Sequence, residues 1–440
     1  MTRAALLVLL AACGDQIAGD NVLEPTSGTR LKLEWYLYED GTRQVEPDTF
    51  YDTVLHARCE PRPYADGTTR CLPFVDEALY IDETCENVVG RGTTLDRTEP
   101  THFIGYDRID GELLPARVYA ALAPREPIRE YYEVRDGACE GPFATASDLT
   151  YYTLGGAFDL VELRDERVDG ERISVRMRHT DDGVRLPVGV DDRARDAACL
   201  PEIDRDGSVV CVPTSLAPSM HFRDVACAAP VLALAEGAPL PDAVTIASPA
   251  GPTRYHALGA GYAGPVYELR GDRCERADLG EVRVFELGAP LDLPRLEREV
   301  DDAPNRRLQR ITLRDAALAV ADDRLYDSAI RADCRREVIA HTVRCLPAVT
   351  TPAQLHFYAG CTLERSVAEL PAGHDVKFAM ALTEAGTELY AIGAALSEPV
   401  FGYEIGECRP YTPRSGETLH ALGPALRPDA FARGVRYGER

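Results

Sequence analysis

The sequence predicts an all-β protein made of three homologous units, each of about 135–140 residues. Twelve of its thirteen cysteines fall into three quartets of similar spacing. Short runs rich in Val, Ile, Thr, Tyr and Leu are separated by Gly, Pro and Asp, which is typical of strands and turns. Apolar and polar residues alternate in 31–35, whereas helical periodicity is scarce and is best in 291–300.

The cysteine quartets mark an internal repeat that covers the folded part of the chain. In every unit the first and second cysteines are 11 or 12 residues apart, and the third and fourth are 47 or 54 residues apart. A fixed internal period of this kind indicates a repeated structural unit. The quartets are Cys59, Cys71, Cys85 and Cys139; Cys199, Cys211, Cys227 and Cys274; and Cys334, Cys345, Cys361 and Cys408.

Residues around the cysteines repeat as well. An aspartate lies seven residues before the first cysteine of each quartet, and a tyrosine begins a longer shared pattern that ends at the fourth cysteine. We therefore divide the chain into units 28–168, 169–303 and 304–440. No Pro/Ser-rich linker separates them, which favours one closed body. The aspartates and tyrosines are Asp52, Asp192 and Asp327, and Tyr119, Tyr255 and Tyr390.

Two architectures fit this repeat. Eight strand-like runs in the first unit, one of them 49–60, suggest two four-stranded antiparallel sheets per unit. Six such sheets match a six-bladed β-propeller, which leaves only short protected edges. The alternative is three tandem β-sandwich or barrel domains, each of a plausible size alone. The Gly-His and Trp-Asp pairs of one propeller family are absent, and Trp35 is the single tryptophan.

The N-terminus predicts export. Arg3 precedes the short apolar run 4–9, and small residues follow, as in a secretory signal peptide. The run is too short to span a bilayer as a mature helix. Leu10-Ala11-Ala12-Cys13 resembles the lipobox of bacterial lipoproteins. This resemblance implies a signal peptide at 1–12, a lipid on Cys13, and a lipidated tether at 13–27. Because Gly14 follows in place of aspartate, it also favours the outer membrane.

Export explains the cysteine content. The periplasm and the cell surface permit disulfides, whereas twelve thiols in a cytosolic chain would suggest metal binding. The even count that remains after Cys13 fits complete pairing. The CxxC pairs that are typical of zinc sites are absent, so we expect no metal site.

Turn signals favour one disulfide connectivity among the three that four cysteines allow. Asp66-Gly67 lies between the first two cysteines of the first unit, and Asp206-Gly207 lies between those of the second. Asp-Gly between strand-like runs is a strong hairpin signal. We therefore expect the first cysteine to pair with the second and the third with the fourth. The third unit carries Ala340-His341 in place of this turn.

The repeated unit has a further resemblance. With its Asp-Gly turn and its Arg-Cys-Leu-Pro segment (70–73 and 344–347), it resembles units of uncharacterised secreted lipoproteins of high-GC Gram-negative bacteria. The resemblance covers all three units and implies no known activity. The formal net charge of −24 disfavours nucleic acid and anionic membrane surfaces as partners.

Candidate chemistry is sparse. There is no HExxH, no Gly-x-Ser-x-Gly, no phosphate-binding Gly-rich loop and no dinucleotide fingerprint. His221 and His356 occupy matching places where the first unit has Leu79, so we expect a packing position rather than a ligand. The repeated aspartates are expected to fix turns by accepting backbone hydrogen bonds, with calcium ligation as the alternative.

Two other residue groups are expected to be structural. The acidic runs read as solvated loops; they are Asp181-Asp182, Asp191-Asp192 and Asp301-Asp302. Tyrosines concentrated in the first unit are expected to pack across strands rather than to line a carbohydrate or peptide surface. They include Tyr36, Tyr38, Tyr131, Tyr132, Tyr151 and Tyr152.

These observations predict a lipid-anchored cell-envelope protein with a binding or structural role. We expect no catalytic residue, no cofactor and no nucleic acid partner; the partners are the membrane, through the N-terminal lipid, and an unknown envelope or extracellular ligand. The alternative is an envelope hydrolase with two loop carboxylates. An enzyme site should break the repeat with a cluster of acids and histidines in one unit. The densest histidine group, in the third unit, is His341, His356 and His374.

Overall fold

The computed structural model describes residues 22–438 except 74–75, 93–100, 127, 146–149, 205–207, 247–252, 271–272, 340–341, 360, 362, 372–375, 384–385, 405–406 and 414–416. The signal peptide 1–12, Cys13, Asp206-Gly207, Ala340-His341 and His374 lie outside the described residues, as does the side chain of His356.

The described residues form strands and one turn of 3-10 helix at Pro428–Ala430, with no α-helix, so the all-β prediction is confirmed. The segment with the best helical periodicity, 291–300, contains a strand at Arg295–Val300. Within the described ranges, no helix has the length and apolarity to cross a membrane.

The first third of the described chain contributes thirteen strands. They are β1 (Val22–Leu23), β2 (Leu31–Tyr38), β3 (Arg43–Asp52), β4 (Ala57–Pro63), β5 (Thr69–Pro73), β6 (Asp76–Tyr80), β7 (Val88–Gly92), β8 (His102–Ile109), β9 (Glu112–Arg125), β10 (Glu130–Arg135), β11 (Ala138–Ala144), β12 (Thr150–Phe158) and β13 (Glu162–Asp169).

The second unit contributes another thirteen. They are β14 (Ile173–His179), β15 (Arg185–Asp192), β16 (Ala197–Ile203), β17 (Val209–Pro213), β18 (Leu216–Pro218), β19 (His221–Phe222), β20 (Pro230–Ala235), β21 (Ala243–Ile246), β22 (Arg254–Gly261), β23 (Tyr267–Arg270), β24 (Arg273–Arg276), β25 (Val282–Pro290) and β26 (Arg295–Val300).

The third unit contributes twelve. They are β27 (Leu308–Asp315), β28 (Leu318–Asp327), β29 (Ala332–Ile339), β30 (Thr342–Pro347), β31 (Thr351–Ala359), β32 (Leu363–Pro371), β33 (Phe378–Thr383), β34 (Gly386–Ala395), β35 (Val400–Glu404), β36 (Glu407–Tyr411), β37 (Glu417–Leu426) and β38 (Arg433–Gly438).

One sheet runs through all three units. Its strand order is β28-β27-β26-β17-β16-β15-β14-β13-β5-β4-β3-β2-β38-β30-β29, and β29 pairs back with β28, so the pairings form a closed circuit. We call these fifteen strands the ring. Each unit supplies four strands at its start and one at its end: β2–β5 with β13, β14–β17 with β26, and β27–β30 with β38.

The remaining strands of each unit form a separate sheet, which we call a satellite sheet. These sheets contain β6–β12 in the first unit, β18–β25 in the second and β31–β37 in the third. Each satellite sheet is inserted between the fourth and the last ring strand of its unit. The chain therefore leaves the ring, builds the satellite, and returns to the ring three times.

The four sheets do not correspond to the six four-stranded blades of the propeller expectation. The units are also not three separate domains, because the last ring strand of each pairs with the first ring strand of another. The pairs are β13 with β14, β26 with β27, and β38 with β2. The strand count of the first unit was too low, because the run 49–60 divides at Asp52 into β3 and β4 and because β7, β11 and β13 lie outside the predicted runs.

The six disulfides have the expected connectivity, first with second and third with fourth. They are Cys59–Cys71, Cys85–Cys139, Cys199–Cys211, Cys227–Cys274, Cys334–Cys345 and Cys361–Cys408. In each unit, the disulfide between the first and second cysteines lies in the ring, and the disulfide between the third and fourth lies in the satellite part of the unit. Six disulfides indicate an extracytoplasmic location.

The first ring disulfide bridges the hairpin that the sequence indicated. The turn between β4 and β5 contains Asp66-Gly67, and Gly67 has a φ of +82°, which glycine adopts without strain. The register places Cys59 opposite Pro73 and Cys71 opposite Pro61. The two cysteines are therefore diagonal neighbours across the hairpin rather than directly opposite, with Cα atoms 5.2 Å apart.

The repeated aspartates fix turns, as predicted. Each carboxylate is buried and accepts a hydrogen bond from the backbone N–H two residues further along. Arg30 and Arg307 pair with the aspartates of the first and third units at 2.8 and 2.7 Å, whereas Arg195 is the partner in the second. The donor pairs are Val54 to Asp52, Ala194 to Asp192 and Ala329 to Asp327.

A second set of aspartates joins the units. Each lies at the hairpin between the first two ring strands of its unit and accepts backbone N–H groups at the start of the first ring strand of another unit. The contacts follow a cyclic order. They are Asp182 with Arg30 and Leu31 at 2.6 and 2.8 Å, Asp315 with Arg172 and Ile173 at 2.7 and 3.0 Å, and Asp40 with Leu308 at 2.6 Å.

These contacts correct the expectation of solvated loops for two of the three acidic runs, whereas Asp301-Asp302 lies in a loop with Asp302 exposed. Asp182 binds the neighbouring unit, and Asp191 and Asp192 are buried in β15. The described end of the tether 13–27 also contacts the body. Val22 lies beside Ala319 in a parallel pairing of β1 with β28, and residue 26 forms a bridge with β15.

We expect Asp182→Ala to lower the free energy of unfolding by about 2–3 kcal/mol, because two backbone N–H groups at the start of β2 lose their acceptor. Asp181→Ala is the control. Its side chain is exposed and pairs with Arg164 at the surface, so a change below about 1 kcal/mol is expected. Urea denaturation measures both. Equal midpoints for the two variants would contradict the inter-unit role of Asp182.

Candidate functional site

An apolar cluster lies between the ring and the satellite sheet in every unit, and we call it the interface cluster. It always contains the residue after the second cysteine and the residue two positions before the last ring strand. These are Leu72 and Leu160, Val212 and Leu293, and Leu346 and Phe431. The second unit has the smallest of the three clusters.

Two positions around the interface cluster are apolar in the first and third units and charged in the second. Leu55 and Tyr64 are buried in the first cluster, and Ile330 and Ile339 pack against the third. Arg195 and Asp204 occupy these two positions in the second unit. The first position is the third residue after the repeated turn aspartate, and it holds Arg195 in the second unit. The second position is the fifth residue after the first cysteine of the quartet, and it holds Asp204.

Strand pairing reveals another difference in the second unit. Each satellite sheet has a strand that carries a repeated Leu-Gly pair, in which the leucines are Leu154, Leu287 and Leu422. The residue three positions after this leucine lies opposite a tyrosine in the first and third units and opposite a histidine in the second. The sequence pattern aligned Tyr255 with the two tyrosines, and the register corrects this by one residue; Tyr255 instead packs against the interface cluster. The opposing pairs are Tyr119 with Ala157, His256 with Pro290, and Tyr390 with Ala425.

Because His256 takes the place of the tyrosine in the second unit, Arg254 lacks the tyrosine hydroxyl that the residues at its position contact in the two other units. Two residues before the tyrosine, the first unit has Arg117, which is hydrogen-bonded to Tyr119. The third unit has Glu388, which accepts a hydrogen bond from the Tyr390 hydroxyl. Among the residues that the structure describes, none forms an ion pair or side-chain hydrogen bond with the Arg254 guanidinium, which is exposed.

The histidine is oriented by the backbone. His256 Nδ1 lies 3.1 Å from the carbonyl oxygen of Gly288. A carbonyl oxygen only accepts, so Nδ1 donates and Nε2 carries the lone pair of the neutral ring. Burial, with the negative charges of Asp204 and Glu202, raises the pKa of Tyr255, so its phenol remains protonated and able to donate.

A pocket of about 450 Å³ lies where the second unit departs from the other two. Its walls come from the ring and from the satellite sheet. The apolar part of the lining is Val210, Tyr255, Pro290, Leu291 and Leu293. The polar part is Asp204, Thr253, Arg254, His256, Asp292 and Arg295. The pocket therefore combines an apolar wall with charges of both signs.

Some of these charges are already engaged. The Arg172 guanidinium donates to the Asp292 carboxylate at 3.1 Å and to its carbonyl oxygen at 3.1 Å. Arg195 donates to the same carbonyl oxygen at 2.8 Å. Arg295 donates to the Ser208 hydroxyl at 2.9 Å. Asp292 is thus held by arginines from the start of the unit, which fixes one rim of the pocket.

A second unit-specific charge cluster lies at the seam where β38 closes the ring. Buried Glu34 is 3.3 Å from Arg436, and Glu46 is 3.0 Å from Arg336. Arg336 also lies over the Tyr36 ring, 4.4 Å from its centroid. Because both carboxylates are paired with arginines across the seam, this cluster joins the C-terminal strand to the first unit.

The other candidates from the sequence are structural where they are described. Tyr36, Tyr38 and Tyr151 are buried in apolar clusters, so cross-strand packing is confirmed for them. His221 lies in β19, half-buried. The described residues contain no group of three or more His, Cys, Asp or Glu placed to hold a metal ion. Sequence reasoning missed Arg195, Asp204 and His256, which a position-by-position comparison of the units would have shown.

Comparison with known proteins gives one result. A family model matches residues 6–431, and its description is a family of unknown function, DUF7481. No curated protein and no solved structure matches the chain.

The Asp204 carboxylate of the second unit should be dispensable for stability. Asp204→Ile introduces the third unit's residue, and we expect the free energy of unfolding to change by less than about 1 kcal/mol, because the gain in apolar burial offsets the lost polar contacts. The reciprocal Ile339→Asp should lower it by at least about 2 kcal/mol, because a carboxylate would enter an apolar cluster. Chemical denaturation measures both. A larger loss for Asp204→Ile than for Ile339→Asp would contradict this account.

Proposed function

The chain belongs to the family of unknown function DUF7481, and we propose that it is a lipid-anchored, non-catalytic ligand-binding protein of the bacterial cell envelope. One observation carries the proposal. The second unit has a pocket of about 450 Å³ that is lined by Asp204, at a position that is apolar in the two other copies. This volume is within the range of small-molecule sites, about 300–1,000 Å³.

The comparison of the units explains why such a pocket supports binding. Three copies of one unit share the same ring and the same disulfides, and two of them close the ring-satellite interface with apolar residues. Asp204, in the place of Tyr64 and Ile339, gives up apolar burial. Natural proteins retain such locally unfavourable residues mainly where function requires them.

The location rests on the N-terminal sequence and the disulfides. Leu10-Ala11-Ala12-Cys13 resembles a lipobox, and six disulfides require an oxidising compartment. Cys13 then bears the lipid, which inserts in the outer membrane. The nine residues 13–21 separate the lipid from β1, and even a fully extended chain of that length reaches only about 30 Å. The body is held close to the membrane surface.

An envelope hydrolase is the alternative, and the geometry favours it less. Glycosidase chemistry needs two carboxylates that are available to the substrate. Asp292 in the pocket is paired with Arg172, and the glutamates at the ring seam, Glu34 and Glu46, are paired with arginines. Ligand binding, unlike hydrolysis, does not need carboxylates that are free of arginine partners, and it requires no cofactor.

Lipidation is tested by expressing the chain with its own leader in a Gram-negative host. We expect the protein in the outer-membrane fraction, with a first peptide that begins at acylated Cys13, because the lipobox directs both steps. The control is Cys13→Ala, which should leave the protein unacylated. An unmodified Cys13 thiol in the wild-type protein would contradict the proposed anchor.

Binding is tested by native mass spectrometry of the protein extracted from its own envelope. We expect a small-molecule adduct on the wild-type chain that is lost in Asp204→Ile, because the substitution removes a charge from the lining and narrows the pocket. Arg276→Leu is the control, since this exposed arginine lies in the same satellite sheet outside the pocket. An adduct that survives in Asp204→Ile, or no adduct at all, would contradict the proposed site.

A further inference from the structure

We propose that the pocket of the second unit recognises a zwitterion, a small molecule that carries an ammonium group, a carboxylate and an apolar side chain. The class includes free apolar amino acids and short peptides. This inference rests on the proposed binding function and adds the chemistry of the ligand. It follows from three features of the lining, which are the opposite charges of Asp204 and Arg254, the apolar wall, and the Arg254 guanidinium on the satellite side, which has no ion pair or side-chain hydrogen bond with any described residue.

The two charges come from opposite walls. Asp204 follows β16 of the ring, and Arg254 begins β22 of the satellite sheet; both line the pocket. A ligand of a single charge would pair with one of them and bring its own charge near the like charge of the other. A ligand with both charges pairs with both residues at once, which is the arrangement of lowest electrostatic free energy.

The carboxylate of the ligand belongs on the satellite side. Arg254 lacks the hydrogen bond that Arg117 makes in the first unit, because His256 stands in the place of the tyrosine and is held by Gly288. Its planar guanidinium can bind a carboxylate through two parallel hydrogen bonds.

The ammonium group belongs on the ring side, beside Asp204. Asp204 and Tyr255 both line the pocket, the first from the ring and the second from β22 of the satellite sheet, and the Asp204 charge contributes to the raised pKa of the Tyr255 phenol. An ammonium group there donates to the Asp204 carboxylate, and the phenol oxygen is a further acceptor.

The apolar side chain of the ligand fits the remaining wall. Val210, Leu291 and Leu293 line the pocket next to the Tyr255 ring, and all four belong to the interface cluster of the second unit. Covering this wall removes apolar surface of both molecules from water. A pocket of about 450 Å³ holds an amino acid or a dipeptide with an aromatic side chain.

The test uses isothermal titration with L-phenylalanine and L-alanyl-L-phenylalanine as probes, and two analogues that each lack one charge. The analogues are 3-phenylpropionate, without the ammonium group, and 2-phenylethylamine, without the carboxylate. We expect at least one zwitterion to bind tenfold or more tightly than either analogue, because only a zwitterion pairs with both Asp204 and Arg254.

Two variants assign the charges. Asp204→Asn should weaken the zwitterion at least tenfold and leave 3-phenylpropionate unchanged, whereas Arg254→Gln should weaken the zwitterion and leave 2-phenylethylamine unchanged. Arg276→Gln is the matched control and should change no affinity, since Arg276 is exposed on β24 of the same satellite sheet. Circular dichroism confirms that each variant is folded.

The inference is overturned if either analogue binds as tightly as the zwitterions, or if neither zwitterion binds. These results are separable from failure of the binding function. If an adduct from the envelope is lost in Asp204→Ile while neither zwitterion binds, the pocket binds a ligand of another class. If no adduct is found and neither probe binds, both proposals fail.

Discussion

The pairing of the last ring strand of each unit with the first ring strand of another is the constraint on which the rest of the structure depends. It joins three units into one circuit of hydrogen-bonded strands, in which β38 returns to β2. A sheet that closes on itself has no free edge, so the ring needs no covering element to prevent pairing with another chain. The aspartates 40, 182 and 315 reinforce each junction by binding the start of the next strand.

The ring also explains how one unit can specialise. Hairpin disulfides, turn aspartates and inter-unit pairings hold every unit in place independently of its satellite sheet. The interface between ring and satellite is therefore the part where apolar residues can be replaced at limited cost to the whole. Asp204 lies at that interface and lines the pocket.

The sequence predicted what depends on local pattern. Cysteine spacing showed the repeat, Asp66-Gly67 indicated the hairpin that fixes a disulfide, and recurrence of Asp52 in every unit indicated a turn. The closed ring was beyond a local pattern, because β38 and β2 are separated by almost the whole chain and each is a short alternating strand that could pair with many others.

The candidate site was harder to predict for a related reason. A strand shifted by one residue exchanges its two faces, so aligning Tyr255 with Tyr119 hid the fact that His256 occupies the tyrosine position. Asp182 was taken for a loop residue because an Asp-Asp-Gly turn looks the same whether or not a neighbouring unit lies against it. Register and inter-unit contact are properties of the assembled ring.

Ring closure is tested most directly by removing residues 433–440, which contain β38, and by measuring hydrogen exchange of the backbone amides. A closed ring predicts faster exchange in all three units, including β14–β17, which β38 does not contact, because opening one junction gives the whole circuit two free ends. Removal of 439–440 alone should leave exchange unchanged. Faster exchange confined to β2 and β30, the two neighbours of β38, would show that the units are stable independently and would contradict the closed ring.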